Sequence, residues 1–484
     1  MQAAVDWVNG WVWSPALVYL CLVVGLYFSI RTRFLQVRHM GEMIRQMFRG
    51  RSSAAGVSSF QALTIALSGR VGTGNIAGVA TAIGFGGPGA VFWMWMVAFL
   101  GAATAYVESA LGQIYKTEQL GLYRGGPAYY IEKGLGWRRY AIVFAVATML
   151  ACGLLLPGVQ TNSIAAAMDN AFGIAPPVSG TLIVILLGLI IFGGVRRIAQ
   201  VTQIVVPFMA LGYVLAAGVV VVLNIEKLPG VISLIVSSAF GTEAGFGAMV
   251  GLAIQWGVKR GVYSNEAGQG TGPHAAAAAE VSHPAAQGLV QAFSVYVDTL
   301  FVCTATAFMI LIAGTYNVTG ADGTQVFTGL ANISAGTGFT QAAMESVLPG
   351  FGAMFVAVAL FFFAFTTVLA YYYIAETNLA YLTRNIRSDG LMFTLRIGLI
   401  GSALYGCVRT SDLAWGLGDI GVGIMAWLNI VAILVLQKPA LAALKDYEAQ
   451  QAKGRLQPEF DPRPLGIENA GLWVERTEGR KRRS

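Results

Sequence analysis

The chain has 484 residues, 56% of them hydrophobic and 11% charged, with 60 glycines and a formal net charge of +7. A soluble domain carries about 25% charged residues, so the composition excludes one and points to an all-α polytopic membrane protein. Its basic residues sit in short loops beside apolar segments, which argues for lipid and against nucleic acid as the surrounding partner.

The start, MQAAVDWVNG, has Asp6 and no basic residue, so it lacks the basic region of a signal peptide. An apolar run over about 11–30 is followed by Arg31, Arg33, Arg38, Arg45, Arg49 and Arg51. Positive charge after the first helix places that loop in the cytoplasm and the N-terminus outside. Further segments are expected at about 57–85, 88–115, 140–157, 178–195, 200–223, 240–258, 289–314, 350–383, 391–408 and 413–436. Alternate connections are basic, as with Arg138 and Arg139, Arg196 and Arg197, and Lys259 and Arg260. About eleven spans satisfy the positive-inside rule at each loop. The tail, 438–484, is polar and ends Arg480-Lys481-Arg482-Arg483; it reads as cytoplasmic and partly disordered. The location implied is a multi-pass span of the cell (inner) membrane.

Cys21, Cys152, Cys303 and Cys407 each fall in an apolar segment and read as packing residues. His39, His274 and His283 fall in expected loops. Neither a metal centre nor a hydrolase triad has its parts, so no enzyme is expected.

The segment 57–85 carries SGRVGTGNIAG (Ser68–Gly78) across its middle. Glycine weakens a helix by about 1 kcal/mol, and a buried arginine without a partner costs more. Gly69, Gly72 and Gly74 with Arg70 and Asn75 therefore predict a helix broken at mid-membrane depth. Such a break is tolerated only where it faces protein or a wet cavity. The freed N–H groups can then bind an anion and the freed C=O groups a cation. A glycine packing seam is the bland alternative; it leaves Arg70 and Asn75 unexplained.

Setting the first segment aside leaves ten, which divide into 57–223 and 224–437 after an N-terminal unit at 1–56. A second glycine-rich stretch, SSAFGTEAGFGAMVG (237–251), opens the second half as the first break opens the first half. An odd number of spans per half inverts one relative to the other, the signature of an inverted-repeat secondary transporter. Glu243 is a candidate gate or partner for Arg70, unless it only marks the outer interface; Glu108 is another partner for Arg70. The loop SNEAGQGTGPH (264–274) lacks the G-K-[ST] ending of a phosphate loop and reads as cytoplasmic, an inner gate or a linker. Asp298 and Glu376 belong to an ion path or to interhelical pairs. The adjacent hydroxyls of Thr366 and Thr367 either bond their own helix or, with freed carbonyls, offer a site for Na⁺.

GRVGTGNIAGVATAIGFGGPGAVFWMW (69–95) and GVKRGVYSNEAGQGTGPHAAAAAE (257–280) resemble the signatures of the alanine/glycine:cation symporter family, and TTVLAYYYIAE resembles a third. The likeness covers about 15–437. It implies the leucine-transporter (LeuT-like) fold, one extra helix and then two inverted five-helix repeats. It also implies import of a small neutral amino acid, alanine or glycine, with Na⁺ as coupling ion and no organic cofactor; a proton-coupled carrier is the alternative. By the same resemblance the substrate carboxylate would meet the backbone at Thr73 and Gly74 with Asn75, beside Gln160, with Phe246 closing the pocket. Sodium would take the carbonyls of Ser68, Val71 and Phe363 and the hydroxyls of Thr366 and Thr367. Tyr371 stands where the family pattern has tryptophan, which changes the pocket floor. Arg70 sits where a second ion would bind, so a single Na⁺ is expected.

Overall fold

The computed structural model describes residues 1–50, 52–242, 246, 249–384, 386 and 389–481. Its first helices, α1 (Gln2–Val12) and α2 (Pro15–Arg31), meet at a bend of 40° and form one apolar pair. The short α3 (Met40–Met47) follows. Next come α4 (Ser59–Arg70), a π-turn at Gly74–Gly78, α5 (Val79–Gly86) and α6 (Gly89–Ile114). A hairpin of β1 (Thr117–Gln119) and β2 (Leu122–Arg124), antiparallel with Thr117 opposite Arg124, leads to α7 (Pro127–Leu135). The long α8 (Arg138–Phe172) is followed by α9 (Pro176–Ile191), α10 (Gly194–Leu223) and α11 (Leu228–Ala239).

Past a stretch that includes the undescribed 243–245 and 247–248, the chain forms α12 (Val250–Asn265) and α13 (Gly272–Ala278). Then come α14 (Pro284–Ala313), β3 (Asn317–Thr319), β4 (Gln325–Thr328), α15 (Thr337–Val347) and α16 (Gly352–Leu382). The last helices are α17 (Asp389–Cys407), α18 (Ser411–Ala452) and α19 (Gly471–Lys481). Among the described residues, 7 helices are long and apolar enough to cross a membrane, or 8 with the bent pair; α9 and Gly74–Gly86 are shorter apolar helices.

Helix α6 is the axis of the bundle, buried along nearly its whole inner length. It passes so close to α13 that a Cβ on Gly112 would stand 2.8 Å from the Pro273 carbonyl. Small residues at such crossings let backbones approach, and dispersion replaces the hydrophobic drive that lipid cannot supply. The start of α4 is held by a capping box. Ser58 Oγ accepts from the Gln61 N–H at 3.2 Å, and Gln61 Oε1 accepts from the Ser58 N–H at 3.0 Å.

Three expectations change. The stretch 264–274 is no loop in solvent: it is buried throughout, and it interrupts the helix formed by α12 and α13. The segment expected at 140–157 is a helix that runs on to Phe172, and the one expected at 413–436 extends to Ala452. The tail beyond it is packed rather than loose, with Phe460 and Trp473 buried. Glu243 lies outside the described residues.

Candidate functional site

Helix α4 stops where the glycines predict. Val71 leaves helical geometry with ψ 84°, and side chains take up the N–H groups that follow. Asn75 Oδ1 accepts from the Gly72 N–H at 2.8 Å, and Gln160 Oε1, reaching across from α8, accepts from the Thr73 N–H at 3.1 Å. Gly72 has no space for a side chain: a Cβ there would lie 3.0 Å from Gln160 Oε1 and collide with the Thr367 hydroxyl. The buried Thr73 hydroxyl faces the side chain of Tyr263.

Thr73, Gln160 and Tyr371 thus gather around Gly72, with Tyr371 buried and interacting with Gln160. Gly74 backs onto Ser264 of α12, where a Cβ would sit 3.1 Å from the Ser264 Cα. The Asn75 side chain is spent as a brace, since its amide also donates to Asp298 Oδ1 at 2.6 Å. Phe246 lies elsewhere. Its ring packs against Gly87, just past the end of α5, with Cδ1 3.5 Å from where a Gly87 Cβ would be. The aromatic residue at the break is Tyr263, whose hydroxyl is 3.5 Å from Gln160 Nε2 and whose ring tilts over Trp415 at 5.0 Å. Sequence reasoning misses Tyr263 because GVYSNEAG looks like the edge of a loop.

The oxygens expected to hold a cation do converge. Thr367 Oγ1 is 2.8 Å from the Ser68 carbonyl, 2.9 Å from that of Phe363 and 3.5 Å from that of Val71. One hydroxyl has one proton, so it can serve only one of three carbonyls well. Thr366 Oγ1 lies 3.1 Å from the same Phe363 carbonyl and 2.9 Å from that of Phe362. A hard cation is the ligand that satisfies several neutral oxygens at once.

The second interruption, 266–271, is organised differently. Glu266 ends α12 with φ 58°, a left-handed conformation uncommon outside glycine. The carboxylate of Glu108, from α6, accepts from the N–H groups of Gly268 at 3.3 Å and Gly270 at 3.2 Å, and from the Asn429 amide at 2.7 Å. Arg70 lies between the two breaks, wholly buried. Its Nη1 donates to the Gln291 carbonyl at 3.2 Å and to Ser294 Oγ, while Nε and Nη2 have no partner among the described residues. The acidic side chains of Glu266, Glu108 and Asp298 lie around it. Asp298 accepts from Asn75 and from Ser264 Oγ at 3.1 Å, so it joins the two breaks. Glu376 instead pairs with Arg124 at 3.0 Å, fixing the hairpin to α16.

A wide vestibule of about 950 Å³ descends along Ala77, Thr81 and Trp256 to a floor of charge. There Asp419 of α18 takes Arg260 through two bonds, 2.9 and 2.8 Å, and Lys259 at 2.7 Å. The Arg260 guanidinium also lies 4.6 Å over the Trp415 ring. Tyr263, one helical turn from Arg260, stands between Trp415 of the vestibule wall and Gln160.

A bundle of apolar helices, two of them interrupted at neighbouring points, is the architecture of a multi-pass membrane transporter. Residues 1–462 match the model of the sodium:alanine symporter family, and the chain belongs to that family. YrbD of Bacillus subtilis is 65% identical over 96% of each chain. The sodium/proton-dependent alanine carrier protein of Bacillus sp. (strain PS3) is 54% identical, over 89% of this chain and 97% of that one. A crystal structure of a point mutant of the Eremococcus coleocola manganese transporter superposes with a TM-score of 0.52 at 12% identity, covering 88% of this chain and 96% of that one. At that identity the likeness is one of fold alone.

Proposed function

We propose that the chain is a sodium-coupled symporter that imports a small neutral amino acid, alanine or glycine, by alternating access. The observation that carries this reading is the crowding of the Ser68, Val71 and Phe363 carbonyls around the Thr367 hydroxyl, beside the break at Gly72 and Thr73. Na⁺ sits among those oxygens, and the amino acid's carboxylate lies against the backbone at Thr73 and Gly74, with Gln160, Tyr263 and Tyr371 around its small side chain. One ion and one solute share the segment Ser68–Thr73, so each fixes the backbone that the other needs. Arg70, a fixed positive charge beside the break, repels a second ion and leaves a single coupling Na⁺.

In this reading about eleven spans form a LeuT-like arrangement. An extra helix comes first, then repeats at 57–223 and 224–437, with the N-terminus outside and the C-terminus in the cytoplasm. The vestibule opens outward, and the opposite face is closed. The PS3 relative's name supports alanine as the solute and gives both sodium and proton as the driving ion.

A proton-coupled carrier is the second reading, favoured by one feature: three buried carboxylates, Glu108, Glu266 and Asp298, around a single guanidinium. Labelled L-alanine uptake into proteoliposomes separates the two. An inward Na⁺ gradient drives accumulation and a matched choline gradient does not; uptake that follows ΔpH without Na⁺ would move the assignment to protons.

A further inference from the structure

Beyond α18 the chain turns back along the face opposite the vestibule. The Phe460 N–H donates to the Ser282 carbonyl at 3.1 Å, and the rings of Phe460 and Tyr447 each stand 5.1 Å from His283. Asn469 donates to the Lys133 carbonyl at 3.0 Å. Helix α19 then sinks Trp473 completely, with Nε1 donating to the Gln113 carbonyl at 2.8 Å, and pairs Arg476 with Glu280.

These contacts fall on the parts that shut this face. The Val57 N–H donates to the Ala278 carbonyl at 2.9 Å, and the Glu280 N–H donates to the Val57 carbonyl at 2.8 Å. That short bridge ties the start of α4 to the end of α13, and so joins both interrupted helices. Lys116 Nζ and Gln113 Nε2 donate to the Ala279 carbonyl at 2.7 and 3.0 Å, and the Tyr123 hydroxyl donates to Glu280 Oε2 at 2.9 Å. Trp473 and Arg476 therefore grip the residues, Gln113 and Glu280, that hold the bridge shut.

We infer that residues 454–481 form a strap that latches the closed face of the transporter and must release before the path opens there. The inference rests on the alternating-access reading. A tail held only for solubility would place polar residues on the bundle; this one places a wholly buried tryptophan and an ion pair on the two residues that grip the bridge.

The test reads opening directly. In the full chain, Ala66→Cys puts a thiol on α4 in the buried space between Gly69, Ala275 and Tyr373, away from the strap. Its labelling by a membrane-impermeant maleimide, added on the face that carries the C-terminus, is timed with the native, buried cysteines as background. Trp473→Ala should speed labelling about tenfold, and Arg476→Ala, at a partly exposed position, several-fold. Unchanged labelling in both variants would overturn the latch, as would a thiol that no variant exposes. Labelling needs neither Na⁺ nor alanine, so uptake in the same vesicles reports separately on the symporter reading.

Discussion

The two helix interruptions differ in what they leave unsatisfied. The first, at 71–73, is short, and its carbonyls crowd a single threonine hydroxyl. The second, at 266–271, has two of its backbone N–H groups taken by Glu108, and its surplus polarity lies in the side chains of Glu266 and Gln269. A break whose carbonyls outnumber the protons offered to them suits a cation. One whose backbone is closed by a neighbouring carboxylate is built as a joint. On this account ion and solute bind at the first break, and the second holds and moves the helices around it.

Gly72→Ala gives the largest effect. The new methyl group would occupy the space of the Thr367 hydroxyl and crowd Gln160, so uptake should fall to background. Gly251→Ala is the control: its Cβ meets nothing within 4 Å, and activity should be kept.

Thr367→Ala comes next. It removes the one side-chain oxygen near all three carbonyls, and loss of a hydrogen-bonding group of this kind costs about 1–3 kcal/mol, a fall in Na⁺ affinity of roughly five- to 150-fold. Na⁺ titration of alanine uptake reads this as a raised half-saturating concentration. Thr366→Ala, whose hydroxyl also bonds within its own helix, should shift it less.

Glu108→Gln sharpens the comparison from the other side. The amide replaces one acceptor oxygen with a donor that faces N–H groups, at a cost of about 1–3 kcal/mol. It should lower Tm in detergent while leaving Na⁺ dependence in the surviving protein near the parent value. A Na⁺ shift as large as that of Thr367→Ala would break the division of labour.

Much of this is legible in the sequence where the signal is local. Glycines beside an arginine in an apolar run place the first break within Ser68–Gly78, where the helix ends at Arg70, and adjacent threonines mark the hydroxyls that meet it. The break at 266–271 is missed because its partner is distant. Glu108 neutralises Gly268 and Gly270 from another helix, so SNEAGQGTG reads as a polar loop until the fold brings α6 beside it. The same error sets Phe246 in place of Tyr263 at the break. The strap escapes notice because Phe460 stands alone and Leu472-Trp473-Val474 is a short apolar patch in a polar run, a pattern that periodicity does not detect.

The most direct test of a shared site at the first break is linkage. Equilibrium binding of labelled L-alanine to the purified protein, measured across a Na⁺ series, should tighten as Na⁺ rises, and Na⁺ affinity should tighten by the same factor with alanine. Thr367→Ala should flatten that dependence. Alanine binding that is indifferent to Na⁺ in the parent protein would contradict the account.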